Sequence, residues 1–597
     1  MRRFLYGHNE VLRMQPDNFI EVSFEVANKV GGIHQVLKSK SGKMQDYYGD
    51  NYITIGFYNE ESAREEFAPR ENTEFEEIFD NLEKEEGIKC RAGVWNIPSS
   101  PRCILVDISE MDRSIDDIKT ELWEEFDIDS MGAGHDFDEP VKWSYAVGRL
   151  IKELETELEG NTVLQAHEWL SGPAIFKSDL PSVFTTHATV LGRALSNADF
   201  DLQGAVDADN IDQSLASEYG VKAKHQIERA AAERSEVFTT VSKTTGKEAT
   251  AVLGVEPDVI LSNGFNVEDF PSLEELSYEH TRKKEHVKEF LRAYFKPYYD
   301  VDLENDPRIL YTSGRYEFHN KGLDVFIDAL SRLNQQEGDD FFVFILVPSD
   351  VAQQKMEVLE NMSLYQELED SVNDLVPKMR SELLDALTSG QDVIESLESV
   401  LDESSSRLDS LERNFRAKQD KTPPLAAFDL NYAEDEILSA LWENGLRNRE
   451  EDRVKVVFYP TYLSVGDRLL SMDYNDFIVA SSAGIFPSYY EPWGYTPVET
   501  AANGALSITT DMAGFGKFLQ EKTDKEERKG IKVLAREDQS DEAAAEDLAE
   551  MLQDFVTYPK TEITERKHNA RKLAQLTSWD KLGKNYAEAH EKALEEK

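Results

Sequence analysis

Short apolar runs alternate along the chain with longer segments of helical periodicity. The predicted strands are "NTVLQAHEW", "PSVFTTHAT", "EVFTTVS", "PDVILSNGF", "PRILYTSGRYE", "DFFVFILVPS", "VKVVFYPTY", "DFIVASSAGIFPS" and "ALSITTDMAG". Fully apolar strands separated by helices are typical of parallel sheets that helices cover on both faces. The pattern therefore predicts an α/β fold in two halves, with a boundary in the charged region near residues 280–300.

One segment, from Val351 to about Lys421, interrupts this alternation because it has few strand signals and almost no glycine. Its apolar residues recur at three- and four-residue steps in two stripes: Leu364, Leu368, Val372, Leu375, Met379 and Leu383, then Val393, Leu397 and Leu401. The spacing predicts a helical hairpin. Two interpretations stay open: a helix pair packed on its own subunit, or a coiled coil that makes homo-oligomer contacts.

The charge of the chain is strongly negative. With 65 Lys+Arg against 116 Asp+Glu, the formal net charge is −51 at pH 7. A field of that sign argues against nucleic acid or an anionic membrane as the main partner. The acidic residues are spread along the chain, which favours adaptation to a salt-rich cytoplasm over an ordinary acidic protein, since salt screens self-repulsion.

Sequence features point to a cytoplasmic, soluble protein. Cys90 and Cys103 have no metal-site spacing and do not suggest a disulfide framework, so a reducing compartment fits. The N-terminus has basic residues without the apolar run of a signal peptide. No apolar stretch reaches the about 20 residues of a membrane span.

Two pairs of basic residues follow predicted strands. "HATVLGRAL" supplies His187 and Arg193 in the first half, and "SGRYEFHNKGLD" supplies Arg315 and Lys321 in the second. Ligands of parallel α/β sheets bind at the carboxyl ends of the strands. A single basic residue is more often on the solvated surface, but a pair from each half favours an anionic ligand held between the halves.

The stretch "FPSYYEPWGYTPVETAANG" combines aromatic rings, prolines and two glutamates. Thr496 is predicted as an N-cap, Pro497 as the first helical residue and Glu499 as the third, which makes a capping box. The box does not account for Glu491, which precedes the helix. A helix start in such a loop suits a phosphate, because its free N–H groups and dipole attract negative charge.

Other motifs add little. "EVANKVGGIHQV" places Lys29, Gly31 and Gly32 after a possible first strand, where two glycines allow close approach of a ligand or simply form a tight turn. His167 has Glu168 beside it but no second histidine in register, so we expect no metal site.

Several motifs together resemble the eukaryotic-type glycogen synthases: "EVSFEVANKVGGIHQV", "FTTHATVLGRAL", "VFTTVSKTTGKEA", "SNGFNV", "GRYEFHNKGLDVFIDAL" and "FPSYYEPWGYTPVET". The resemblance runs from about Asn18 to the last helix. It implies a retaining glycosyltransferase of the GT-B fold, with two Rossmann-like domains facing a cleft, that moves glucose from UDP-glucose to the non-reducing end of an α-1,4-glucan. We expect domains at 1–285 and 286–578, a helical insertion at 351–425 in the second, and a last helix, 579–597, that joins the first.

The resemblance also assigns residues. The catalytic contacts fall on Glu491, Arg315, Lys321 and His187. Substrate binding falls on Arg193, Tyr474, Glu499, Trp493, Gly494, Tyr495, Thr496, Lys29, Gly31, Gly32 and Asn263. No cofactor and no metal are implied, since basic side chains neutralise the leaving diphosphate.

Within that set the implied roles differ. Glu491 lies beside the transferred sugar, and Glu499 meets the ribose. Arg315 and Lys321 neutralise the diphosphate, with Arg193 as a third cation from the opposite domain. His187 contacts the donor sugar, Tyr474 stacks on the uracil ring, and Lys29, Gly31 and Gly32 lie near the donor and acceptor ends.

Two alternatives differ in function. One is a related GT-B transferase that uses ADP-glucose or a small acceptor. The other is a non-catalytic glucan-binding scaffold, which the intact Glu491, Arg315 and Lys321 disfavour. Regulation is also expected to differ: the family's regulated members carry an arginine-rich helix that binds glucose 6-phosphate, whereas "TEITERKHNARKLAQLTSW" lacks the dense arginine run. We therefore expect no strong activation by that sugar phosphate.

Overall fold

The computed structural model describes residues 15–597, apart from 72, 199, 268, 269, 271, 420 and 433. Within these residues the first half forms one mixed sheet of nine strands: β1 (Asn18–Val22), β2 (Tyr52–Phe57), β3 (Phe67–Pro69), β4 (Lys89–Trp95), β5 (Arg102–Asp107), β6 (Thr162–His167), β7 (Ser182–Thr186), β8 (Val237–Thr240) and β9 (Val259–Ile260). Its helices are α1 (Gly32–Tyr48), α2 (Glu60–Glu66), α3 (Glu76–Glu86), α4 (Ile115–Phe126), α5 (His135–Glu157), α6 (Glu168–Ser171), α7 (Val190–Ser196), α8 (Leu202–Asp207), α9 (Leu215–Glu218), α10 (Lys222–Arg234) and α11 (Lys243–Leu253). We call this sheet with its helices the first lobe.

The second half forms a sheet from six described strands, with a two-stranded ribbon beside it. The strands are β10 (Arg308–Ser313), β11 (Phe341–Leu346), β12 (Val351–Gln354), β13 (Phe428–Leu430), β14 (Val454–Phe458), β15 (Ala483–Ile485), β16 (Leu506–Thr510) and β17 (Ile531–Leu534), of which β12 and β13 make the ribbon. The helices are α12 (Leu273–Phe295), α13 (Leu323–Asn334), α14 (Met356–Ser389), α15 (Val393–Phe415), α16 (Glu436–Glu443), α17 (Tyr474–Ala480), α18 (Tyr495–Ala502), α19 (Gly514–Lys522), α20 (Asp541–Thr557), α21 (Lys560–Ala574) and α22 (Trp579–Glu596). Elements β10 to α21, together with α12, make the second lobe.

Both sheets are doubly wound, as predicted. The second has the order β14-β11-β10-β15-β16-β17 with parallel pairing throughout the described strands. In the first, the part β5-β2-β1-β6-β7-β8-β9 is also parallel and follows the same order. Strand order therefore reverses beside β1 in one sheet and beside β10 in the other. Ligands of such sheets bind at these reversal points.

One edge of the first sheet departs from the parallel prediction. Strand β4 pairs antiparallel with β3 and with β5. The connection from β4 to β5 spans only residues 96–101. A parallel pair needs a crossover of about a dozen residues or more, so this short connection permits only a hairpin.

Two further predictions change at the residue level. The apolar run "DFIVASSAGIFPS" is not one strand, because Asp476 to Ala480 belong to α17 and only Ala483–Ile485 form β15. The Asp473 side chain caps this helix by accepting the backbone N–H of Asp476 at 2.8 Å. The charged region around residue 285 is a continuous helix, α12, so the expected boundary at 285/286 falls inside it.

The predicted pair of helices is present. Helices α14 and α15 pack against each other as a hairpin, and strands β12 and β13 pair antiparallel at its base. The hairpin keeps several apolar side chains exposed: Val372, Val376, Leu384, Leu387, Ile394 and Leu401. A contact between subunits through this hairpin stays a prediction.

The last helix packs on the first lobe. Trp579 donates its ring N–H to Ser39 Oγ at 3.0 Å, and His590 Nε2 contacts Gln165 Oε1 at 3.1 Å. Just before it, the backbone N–H of Phe265 donates to Thr577 O at 2.8 Å, so the two segments that pass between the lobes lie side by side. Of the helices in the described part of the chain, none combines the length and apolar character that a membrane span requires.

Candidate active site

The two reversal points lie at the carboxyl ends of four strands, and several predicted residues follow these strands. Lys29, Gly31 and Gly32 follow β1, and His167 ends β6. In the second lobe, Arg315 follows β10 and Glu491 follows β15. These ends are where parallel sheets bind ligands, so the topology agrees with the motif-based prediction for Lys29, Gly31, Gly32, Arg315 and Glu491.

Glu491 and Lys321 are in direct contact. Lys321 Nζ lies 2.5 Å from Glu491 Oε2, and both side chains are half-buried. The backbone around Glu491 is held in place, since its carbonyl accepts the N–H of Gly514 at 3.0 Å. The pair therefore places a cation and a carboxylate side by side at the second lobe's reversal point.

Gly322 makes this contact possible. It precedes α13 with φ 67, in the left-handed region, and a Cβ there would lie 2.0 Å from Pro487 O. Only glycine lets the segment bearing Lys321 approach the segment that leads to Glu491 this closely.

We expect Gly322→Ala to lower the free energy of unfolding more than Gly254→Ala. Gly254 has φ 72 but nothing within 4 Å of its Cβ position, so alanine there costs about 1 kcal/mol from backbone conformation alone. At position 322 the overlap with Pro487 O adds to that cost. Denaturant unfolding of both variants at one salt concentration measures the difference, and equal losses would contradict it.

The two arginines of the predicted set, Arg315 and Arg193, are exposed. Arg315 is exposed and pairs only locally, through Nη2 to Glu317 Oε1 at 2.9 Å. Arg193, on α7 of the first lobe, is exposed and makes no ion pair within 4 Å among the described residues. These two guanidiniums stay available to an anionic ligand.

The loop that carries His187 is fixed by three buried carboxylates, none of which the sequence motifs predicted in this role. Glu168 Oε1 accepts the backbone N–H groups of His187 and Ala188 at 2.9 and 3.2 Å. Glu248 Oε1 accepts the N–H of Thr189 at 3.1 Å, and Glu228 Oε2 that of Val190 at 2.9 Å. Burial raises the pKa of all three carboxyls, that of Glu168 to about 7.

The same cluster contacts the second lobe. Tyr490, the neighbour of Glu491, donates its hydroxyl to Glu248 Oε1 at 3.2 Å. Asn320, the neighbour of Lys321, donates through Nδ2 to Asn197 Oδ1 at 2.6 Å. The segments that bear Glu491 and Lys321 are therefore tied to the segments around His187 and Arg193.

The predicted capping box is wrong. Helix α18 begins at Tyr495 with Gly494 as its N-cap, at φ 100, and no side chain caps it. Pro497 is thus the third helical residue, where its missing N–H costs nothing because the first four N–H groups of a helix have no partner. Glu499 lies in the second turn, and burial raises its pKa to about 7.

The aromatic residues that follow Glu491 contact α19 and the segment after β9. Trp493 is buried in an apolar cluster with Phe515 and Phe518. Tyr495 donates its hydroxyl to Gly264 O at 3.3 Å. Thr496 accepts through its backbone oxygen from Thr500 Oγ1 at 2.7 Å. Trp493 and Tyr495 therefore position the loop.

Two further predicted residues, Tyr474 and Asn263, differ in whether their side chains have hydrogen-bond partners. Tyr474 begins α17, and its hydroxyl contacts Ser313 Oγ, at the end of β10, at 2.7 Å. Asn263 is buried and its Oδ1 has no partner among the described residues, an arrangement that in folded proteins calls for an unseen partner.

The first-lobe glycine loop is open. Lys29, Gly31 and Gly32 are exposed, and Gly31 is the N-cap of α1. The N–H groups of Gly31 and His34 donate to Glu25 Oε2 at 2.9 and 2.8 Å. This carboxylate lies at the helix start and already partners these two N–H groups.

One group of described residues has ligand atoms close enough to hold a metal ion: His319, Asp324 and Asp541. Asp541 is ion-paired with Arg536, and His319 Nδ1 lies 2.7 Å from Asp324 Oδ2. The group is thus occupied by its own ion pairs.

The basic residues of α21 are mostly engaged. Arg566 pairs with Glu562 at 2.6 Å, and Arg571 donates to Ala502 O at 3.0 Å. Lys567 lines a cavity of about 480 Å³ between α12 and α21 and lies 3.3 Å from His280 Nδ1. Burial, with nearby Lys284, lowers the pKa of Lys567 to about 7.

Comparison with known proteins gives one family. A family model described as "Glycogen synthase" matches residues 21–597. The liver glycogen [starch] synthase of Rattus norvegicus is 33% identical over 589 residues, which cover 96% of this chain and 83% of that protein. Glycogen [starch] synthase isoform 1 of Saccharomyces cerevisiae is 32% identical over 618 residues, which cover 97% and 86%.

A solved structure shares the fold. The catalytic domain of Starch Synthase IV from Arabidopsis thaliana, bound to ADP and acarbose, superposes with a TM-score of 0.51 at 12% identity, covering 97% of this chain and 100% of that one. The likeness confirms the predicted fold, two Rossmann-like sheets in the GT-B arrangement.

Proposed function

The chain belongs to the glycogen synthase family, and on that premise we propose that it transfers glucose from UDP-glucose to the non-reducing end of an α-1,4-glucan, with retention of configuration, in the cytoplasm. Its partners are a nucleotide sugar and the glucan. The proposal needs no metal, because side-chain cations do the work of charge neutralisation.

The ion pair of Lys321 and Glu491 is the observation that carries this proposal. When a nucleoside diphosphate departs, negative charge develops on its phosphates, and fixed cations aimed there stabilise the transition state. At the same time the glucosyl centre becomes cation-like and is stabilised by a carboxylate. Lys321 and Glu491, 2.5 Å apart, supply both charges at one reversal point.

Arg315 and Arg193 complete the cation set from the two lobes. Both are exposed at the carboxyl ends of their sheets, so neither must break a buried ion pair to meet a diphosphate. The contacts between Tyr490 and Glu248 and between Asn320 and Asn197 hold the lobes together around the donor. Exclusion of water by such closure protects an activated sugar from hydrolysis.

Labelled donors test the activity. With UDP-glucose carrying a labelled glucose, at molar salt, we expect label in precipitated glycogen, and less with ADP-glucose. Arg315→Ala removes one phosphate cation and should lower incorporation by about 10²-fold. Arg229→Ala, an exposed arginine with an equally local ion pair to Glu233, is the matched control. Equal rates with ADP-glucose would reject the donor, and no label in glycogen would reject the acceptor.

The ionisation of Glu499 predicts a pH dependence of UDP binding. Because burial raises the pKa of Glu499 to about 7, the carboxyl is protonated below that pH and ionised above it. The ionised form accepts from both ribose hydroxyls with two charged oxygens, and such bonds are stronger than those to a protonated carboxyl. We expect UDP to bind about 3- to 10-fold more tightly at about pH 8 than at about pH 6, the worth of one hydrogen bond.

Calorimetric titration with UDP measures this change. Glu499→Gln removes the titrating group and should flatten the difference to that of UDP's own phosphate ionisation. The same pH dependence in wild type and Glu499→Gln would show that Glu499 does not meet the nucleotide.

A further inference from the structure

Behind His187 lies a chain of buried polar groups that none of the assignments above uses. His187 Nε2 is 3.0 Å from His167 Nδ1, and His167 Nε2 is 2.9 Å from Glu21 Oε1. Glu21 also accepts from Lys40 Nζ at Oε1 and from the Tyr52 hydroxyl at Oε2, the latter at 2.5 Å. All five side chains are buried, with Glu21 and Lys40 at 0% exposure.

The charges in this chain fix where its protons lie. Burial works against a charged carboxylate, but Lys40 and the His167 ring outweigh it and hold the pKa of Glu21 well below its usual range. The Glu21 carboxylate is therefore ionised and is neutralised by Lys40. A second buried cation at His167 would have no counter-charge, and burial lowers the pKa of His167 accordingly. His167 is neutral.

A neutral His167 has one ring N–H. Its Nε2 faces an ionised carboxylate, which only accepts, so the proton is on Nε2 and Nδ1 is left as an acceptor. The partner of that acceptor, His187 Nε2, must then be the donor. Burial also lowers the pKa of His187, so its other nitrogen, Nδ1, carries a lone pair. That nitrogen has no partner among the described residues and is not among the buried unpartnered atoms.

We propose that Glu21 and His167 are positioning residues that hold His187 in the Nε2–H tautomer, so that Nδ1 accepts a hydrogen bond from a hydroxyl of the donor sugar. The inference rests on the proposed function for the identity of the sugar, but the tautomer follows from the buried chain alone. His187 then distinguishes hydrogen-bond donors from acceptors on the sugar. A substituent that can only accept forms no hydrogen bond with Nδ1 and adds no binding energy there.

The tautomer is measured directly by ¹⁵N NMR of protein labelled at histidine, in which protonated and unprotonated ring nitrogens have well-separated shifts. The His187 signals are identified by their loss in His187→Gln. We expect Nε2 protonated and Nδ1 unprotonated in wild type, and the same in His167→Gln, whose amide can donate to Glu21 and accept from His187. Protonation of Nδ1 in wild type overturns the proposal, whether or not the protein transfers glucose.

Donor analogues test the consequence. Dissociation constants are compared for UDP-glucose and for its monodeoxy and deoxyfluoro forms, because fluorine slows departure of the leaving group and would distort rates. At one sugar position we expect both the deoxy and the fluoro analogue to bind about 3- to 10-fold more weakly, since neither has a hydroxyl to donate. His167→Phe should lose this discrimination and His167→Gln should keep it.

Three outcomes contradict the inference while leaving the proposed function intact. A fluoro analogue that binds as well as UDP-glucose at the sensitive position would mean that His187 donates. His167→Phe that discriminates like wild type would mean that His167 does not set the tautomer. His167→Gln that loses discrimination as fully as His167→Phe would indicate a role in packing only. If no donor binds or transfers, the proposed function fails, and the NMR result still decides the tautomer.

Discussion

We expect the Glu491→Gln protein to bind UDP-glucose and to transfer glucose at least about 10²-fold more slowly than wild type, the cost of removing one preorganised electrostatic group. Glutamine keeps the shape of the side chain but cannot stabilise positive charge at the glucosyl centre. It also frees the Lys321 ammonium, which lies 2.5 Å from the carboxylate in the wild type. Donor binding should therefore be unchanged or tighter, while kcat falls.

Calorimetry with UDP-glucose and label transfer to glycogen separate these two effects. Glu86→Gln is a matched control, since Glu86 forms a half-buried ion pair with Arg149 at 2.8 Å in the first lobe, on α3. It should leave kcat unchanged. A Glu491→Gln enzyme with full activity would remove Glu491 from the chemistry.

Lys321→Ala should damage both binding and transfer, unlike Glu491→Gln. Removal of the Lys321 ammonium takes a fixed cation away from the leaving diphosphate. We expect this loss to lower kcat by about 10²- to 10³-fold. The Glu491 carboxylate is left without its partner and repels the donor's phosphates, so UDP-glucose should also bind more weakly. The UDP-glucose dissociation constant should therefore be larger for Lys321→Ala than for Glu491→Gln. The ratio of these two constants distinguishes the roles of the two residues.

Lys517→Ala controls for loss of an ion pair of the same length, because Lys517 Nζ lies 2.5 Å from Glu537 Oε1. Dissociation constants of UDP and UDP-glucose are measured by titration of wild type, Lys321→Ala and Lys517→Ala. If Lys321→Ala bound UDP as tightly as wild type, the diphosphate would have to lie elsewhere.

Most of the second sheet could be predicted from the sequence, because strands such as β11 and β14 are buried on both faces and appear as unbroken apolar runs. The prediction omits β2 and β5, although both are largely apolar and buried. It also omits the edge strands β3 and β17 and the strand β4 beside β3, all of which leave part of their residues incompletely buried. A strand that is buried on a single face has no unbroken apolar run, so the signal on which the prediction depends is weaker.

The site divides in the same way. Arg315, Lys321 and Glu491 follow predicted strands, so their convergence could be anticipated from parallel topology. Glu228 and Glu248 could not, because each lies on a helix and bonds to a loop 38 and 59 residues away in sequence. Glu21 did carry a signal, a single carboxylate inside an apolar strand, which is rarely buried without a partner.

The local capping rule gave the wrong start for α18, because tertiary contacts determine where this helix begins. Thr496, Pro497 and Glu499 have the spacing of a capping box, yet the helix begins at Tyr495, after a glycine whose φ of 100 other residues rarely adopt. The hydroxyl of Tyr495 bonds to Gly264 of the neighbouring segment, a contact that no local pattern contains.

That contact lies beside the two segments that pass between the lobes, where the N–H of Phe265 donates to Thr577 O. Two extended segments bonded side by side act as a double-stranded hinge: they bend together but resist being twisted or pulled apart. We therefore expect any opening of the cleft to be mainly a rotation about an axis through these two segments. Because the Tyr495 hydroxyl bonds to one of these segments, we expect the loop of Glu491 to stay close to that axis and to move less than the rest of its lobe.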